Sequence, residues 1–108
     1  MSRDYGVMIG VTTLPNRAEA EALGAKLVNE NLAACAQIGA QIVSFYRWRG
    51  HVNRDDEVRL TLKVAAGRWE ACAERLRELH PYEVPEVVAW QADRVDAAYA
   101  RWVSGEIP

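Results

Sequence analysis

Apolar residues along this chain fall into two alternating rhythms. Gly6 through Thr13 is apolar on both parities, which predicts a strand buried on both faces. Ala20, Leu23, Leu27 and Val28 then recur at helical spacing, and all four are expected inside. Asn16 with Glu19 three residues later forms a capping box at the start of that helix, and Asn31 is its left-handed stop. A long extended stretch follows from Leu32 to Trp48, with a bulge expected at Gly39, and Arg49-Gly50 turns the chain back. On the return, Val58, Leu60, Leu62 and Val64 alternate with Glu57, Arg59, Thr61 and Lys63, one set facing in and the other out. Beyond Gly67 the helical rhythm resumes with Trp69, Cys72, Leu76 and Leu79. A short strand spans Val87–Gln91, and a last helix capped by Asp96 carries Tyr99, Trp102 and Val103.

The predicted order is β-α-β-β-α-β plus a C-terminal helix. That is the ferredoxin-like split βαβ: an α+β sandwich with a long β2–β3 hairpin and two helices on one face of an antiparallel sheet. With no linker or repeat, residues 1–108 read as a single domain. The face without helices should expose apolar side chains, since Ile42/Val43 and Phe45/Tyr46 place bulk on both sides of one strand. Copies of the same chain are the economical cover, so a homo-oligomer is expected.

Composition narrows the function. A net charge of −2 provides no basic footprint for nucleic acid. No apolar run approaches the ~20 residues of a membrane span, and the short run after Tyr5 reads as a strand and not as a secretory leader. A cytoplasmic location is expected. Cys35 and Cys72, neither in a Cys-x-x-Cys pair nor at metal-finger spacing from a histidine, read as small buried hydrophobes.

The densest chemistry lies in His80-Pro81-Tyr82-Glu83-Val84-Pro85-Glu86. Two prolines four residues apart forbid a helix and stiffen an extended connector. It carries an imidazole, a phenol and two carboxylates. His80 with Glu83 and Glu86 is the candidate metal set, since imidazole and carboxylate suit copper(II) and zinc. No activated nucleophile stands nearby: Ser44 and Ser104 lack catalytic context, so the chain does not read as an enzyme.

Several ordered blocks then carry a resemblance. Thr12-Thr13-Leu14-Pro15, Leu32-Ala33-Ala34-Cys35, Ser44 through Gly50, Glu57 with Leu62-Lys63, the His80–Glu86 loop, and Tyr99 with Trp102 together resemble the CutA family of divalent-cation tolerance proteins. The resemblance implies a ferredoxin-like homotrimer, similar to PII signalling proteins, and a link to copper and other divalent metals. Family members proposed to bind copper can carry a cysteine where this chain has Thr12 and a further histidine where it has Leu79, so a copper or zinc cofactor lacks two of its potential ligands here.

The same resemblance implies a cleft between subunits, on which Thr12, Tyr46, Trp48, Glu57, Lys63, His80, Tyr82 and Glu86 would converge. Aromatic walls with a few charged groups suit a small ligand. Trp48 and Tyr82 also fit as interface anchors, with Glu57 and Lys63 as their polar partners. Two functions therefore stand side by side: binding of or response to a divalent metal, and a PII-like module that holds a metabolite without direct metal binding.

Overall fold

The alternation at the centre of the chain is realised in full: Val58, Leu60, Leu62 and Val64 are all buried. In the computed structural model, which describes residues 5–106, they belong to strand β3 (His51–Ala65). The other elements are β1 (Val7–Leu14), α1 (Arg17–Asn29), β2 (Cys35–Trp48), α2 (Trp69–Leu79), β4 (Val88–Gln91) and α3 (Ala97–Val103), with a 3₁₀ turn, Ala66–Arg68, leading into α2. The sheet order is β2-β3-β1-β4, with every neighbouring pair antiparallel. This is the ferredoxin-like α+β arrangement that the pattern predicts.

Local chemistry sets the element ends. The Asn16 side chain accepts the Glu19 amide at 2.9 Å and so opens α1. Asn31 takes φ 61°, and the amides of Leu32 and Ala33 both donate to the Leu27 carbonyl. Those bonds turn the chain, so β2 begins at Cys35 rather than at Leu32. Its pairing with β3 shifts between Ile38 and Gln41, a bulge at the expected glycine. Arg49 and Gly50 both have positive φ, 50° and 82°; a two-residue hairpin turn of that hand matches the twist of the strands it joins.

The main core lies between the sheet and helices α1 and α2, around Leu14, Leu27, Leu60, Leu62 and Leu76. Gly10 of β1 has a specific part in it. A Cβ there would stand 2.6 Å from the Trp69 ring, so the indole occupies the space that a side chain would take.

Four expectations are corrected. Val28 is 38% exposed, because it lies off the stripe of α1 that meets the sheet. Cys35 is half-buried, at the start of an edge strand. Glu57, on the outward parity, is nevertheless buried. The second face of the sheet is not left bare: α3 lays Ala100 and Val103 against Val7, with Ile9, Ala34 and Ala65 around them.

Apolar surface remains farther along the hairpin, where Phe45 is 71% exposed and Val52 65%. β1 ends at the pair Leu14↔Val58, so the hairpin continues past it as a two-stranded ribbon. The ribbon stretches the molecule to 52 × 24 × 23 Å with a radius of gyration of 14.9 Å, above the roughly 13 Å of a compact chain this long.

Candidate functional site

Where the ribbon leaves the sheet, the His80–Glu86 loop crosses the end of β1 and comes to lie beside β3. His80 fixes its start. The imidazole is buried, with the Tyr82 amide donating to Nδ1 at 3.1 Å. An Nδ1 that accepts carries no proton, so the proton sits on Nε2. Nε2 lies 3.0 Å from the Thr13 carbonyl and 3.0 Å from Thr12 Oγ1. Burial pushes the His80 pKa down, against the Thr13 carbonyl and the more distant Glu19 and Glu57 carboxylates. The ring is a neutral brace that binds the loop to the end of β1.

Tyr82 follows, its ring centroid 4.9 Å from that of His80. Its hydroxyl donates to Glu57 Oε2 at 2.7 Å. This phenol covers the Glu57 carboxylate and accounts for its burial. Burial and the facing carboxylate push the Tyr82 pKa far up, so it stays a donor at any physiological pH. One residue farther along, Glu83 accepts from the Arg49 guanidinium at 3.0 Å. The tip of the hairpin and the proline loop are thereby joined, and the same guanidinium stands 5.3 Å from the Trp48 ring centroid.

Between these two walls runs a cleft of about 590 Å³. The hairpin contributes Ser44, Tyr46 and Trp48, alternate residues on one face of β2, with Asp55 and Glu57 beside them on β3. The loop contributes Tyr82, Glu83, Val84 and Glu86. The Tyr46 hydroxyl donates to Asp55, which pushes the Tyr46 pKa up. The lining holds four carboxylates and, among the described residues, no Lys, Arg or His.

Of the residues singled out in the sequence, Tyr46, Trp48, Glu57, Tyr82, Glu83 and Glu86 come together here. Three do not. Thr12 is fully buried behind the cleft against His80, and its neighbour Thr13 reaches the lining instead. Lys63 shares the parity of Glu57 but lies six residues along β3, where its ammonium meets Gln37. At ~3.3 Å per residue that places it roughly 20 Å away. His80 stands behind the wall, both ring nitrogens engaged, apart from the lining that includes Glu83 and Glu86. No three His, Cys, Asp or Glu side chains among the described residues are grouped to hold a metal ion. Asp55, which shares the parity of Glu57 on β3, also lines the cleft; that parity is the one sequence signal that points to it.

A ferredoxin-like sandwich with a projecting hairpin and a cleft against a proline-braced loop defines the class of protein. Comparison with known proteins defines the family. The family described as "CutA1 divalent ion tolerance protein" matches residues 8–106. The divalent-cation tolerance protein CutA of Pyrococcus horikoshii is 37% identical over 100 residues, 93% of this chain and 97% of that one. The CutA homolog of Xenopus laevis is 36% identical over 96 residues, 89% of this chain, which spans only 64% of that longer relative. Among solved structures, CutA from Xylella fastidiosa superposes with a TM-score of 0.89 at 36% identity, covering 98% of this chain and 100% of that one. CutA1 from Oryza sativa gives 0.88 at 30% identity, covering 95% and 94%. The chain belongs to the CutA1 divalent ion tolerance family.

Proposed function

We propose that this protein is a cytoplasmic homotrimeric binding module of the PII-like kind, which takes part in divalent-ion tolerance by holding a ligand in the cleft between hairpin and proline loop. The observation that carries this reading is the contrast between the cleft and His80. The cleft is open and lined by rings and carboxylates, whereas both nitrogens of the one buried imidazole are spent inside the protein. On this reading copper or zinc finds no ligand at His80, and the response to divalent ions runs through the cleft or a partner.

The same geometry argues for binding without turnover. Neither aliphatic hydroxyl of the lining, on Ser44 or on Thr13, is hydrogen-bonded to a base among the described residues. Cys72 is buried and its thiol is pushed up to about 11 by burial, far from a thiolate at neutral pH. Assembly is supported by Phe45, Val52, Val88 and Trp90, all more than half exposed, with Val43 beside them at 49%; large apolar surface of that kind is a mark of interfaces.

Calorimetric titration of copper(II) and zinc into the full chain, with His80→Ala alongside, tests the reading. Weak, non-saturating heats that His80→Ala leaves unchanged are expected. Saturation at one ion per subunit, lost in His80→Ala, would establish a metal site there and overturn it. Sedimentation equilibrium checks the assembly, with a mass of three chains expected.

A further inference from the structure

Three features of the cleft walls point to one chemical class of ligand. The first is Glu57. The residue is only 8% exposed, yet its one hydrogen-bond partner among the described residues is the neutral Tyr82 phenol. No cationic side chain of the described residues pairs with it. A buried carboxylate ordinarily sits against a counter-charge, because desolvating it otherwise is costly.

The second feature is the sign of the lining. Asp55, Glu57, Glu83 and Glu86 all face the cleft with no basic residue among them. The Arg49 guanidinium is committed to Glu83 at the rim. Like charge excludes an anionic ligand from such a place.

The third is the aromatic wall. The hydroxyls of Tyr46 and Tyr82 are turned onto Asp55 and Glu57, so the cleft offers carboxylate lone pairs and ring surface. Those are the groups that recognise an ammonium with carbon attached: its N–H donors meet the carboxylates, and its cationic methylenes or methyls meet the rings. A bare divalent ion instead needs several oxygens closed around one point, and no group of three such donors is assembled among the described residues. An organic cation tolerates wider spacing, since its carbon skeleton bridges the gap. A volume of about 590 Å³ lies within the usual range for a small-molecule site.

We infer that the cleft binds a small organic ammonium compound, with the Glu57 carboxylate as its counter-ion and the Trp48 and Tyr82 rings as its walls. This rests on the cleft being the functional surface, as proposed above.

The test is calorimetric titration of the full chain with 1,4-diaminobutane, its uncharged isostere 1,4-butanediol, the dianion glutarate, and choline. Saturable binding of diaminobutane or choline, weakened about tenfold or more in Glu57→Gln, is the expected result. Trp48→Leu should weaken choline as well, which keeps the test sound if Glu57→Gln misfolds by circular dichroism. Binding of butanediol or glutarate in preference to the amines would overturn the ammonium inference and leave the cleft standing as a binding site. Amine binding seen only in Lys63→Gln would place the lysine of a second copy on Glu57 and overturn it too. Binding of no probe by either the unsubstituted chain or Lys63→Gln would overturn both the inference and the proposed cleft function.

Discussion

The Tyr82 hydroxyl and the Glu57 carboxylate meet at 2.7 Å across 25 positions of sequence. This contact fastens a loop that prolines hold extended to a strand that outruns its sheet. Tyr82→Phe removes the donor and leaves the buried Glu57 carboxylate without its hydrogen-bond partner. A loss of about 1.5–3 kcal/mol is expected, read from the urea midpoint. Tyr82→Phe should cost much less when Glu57 is already Gln, and a double-mutant cycle measures that coupling. A cycle with no coupling would show the bond to be incidental.

His80 makes stability depend on pH. Its folded pKa lies below the ordinary 6.5, so the unfolded chain binds a proton more readily than the folded one. Stability is therefore full above about pH 6.5 and falls as pH drops from there toward the folded value. Melting temperatures between pH 8 and pH 5 should show this fall, and His80→Gln should flatten the part that the imidazole contributes. A melting temperature that rises on acidification through this window would contradict the neutral brace.

The hairpin turn depends on Gly50, at φ 82° with open space around its Cα. Gly50→Ala meets no neighbour, so its cost is the backbone strain alone, about 1–2 kcal/mol. Gly50→Asn should recover part of it, since asparagine tolerates the left-handed region. Equal stability of all three proteins would mean that the turn relaxes to another form.

Gly10 presents the opposite case, a glycine with ordinary φ whose missing side chain is filled by the Trp69 ring. Gly10→Ala should destabilise by about 1–3 kcal/mol through overpacking. The paired change with Trp69→Leu should recover part of the loss.

Much of this architecture is legible in the residues themselves. The alternation of Val58, Leu60, Leu62 and Val64, the Asn16 cap and the Arg49-Gly50 turn each carry local information that tertiary contacts then reinforce. The site is less legible, because it depends on which segments cross. Glu57 has the parity of an exposed residue yet is buried, where Tyr82 arrives from a distant segment to meet it. Thr12 and Thr13 differ by one position, and that one position puts the first behind the sheet and the second on the cleft. Lys63 and Glu57 share a face, but strand length separates them, which parity does not register. Likewise, a seven-residue helix shows its own capping residue, Asp96, but nothing in its spacing says that it will cover the second face of the sheet.

The ribbon beyond Val58 has a consequence of its own. Two strands without a third are barely stable in water, and here they hold one wall of the cleft. Apart from the Glu83–Arg49 and Tyr82–Glu57 ties, the order of that wall is borrowed from whatever lies against it. Amide exchange along Tyr46–Arg54 should therefore slow with occupancy and assembly, while the Leu60–Val64 ladder stays equally protected throughout. The hairpin tip would then serve as the part of the molecule that registers company.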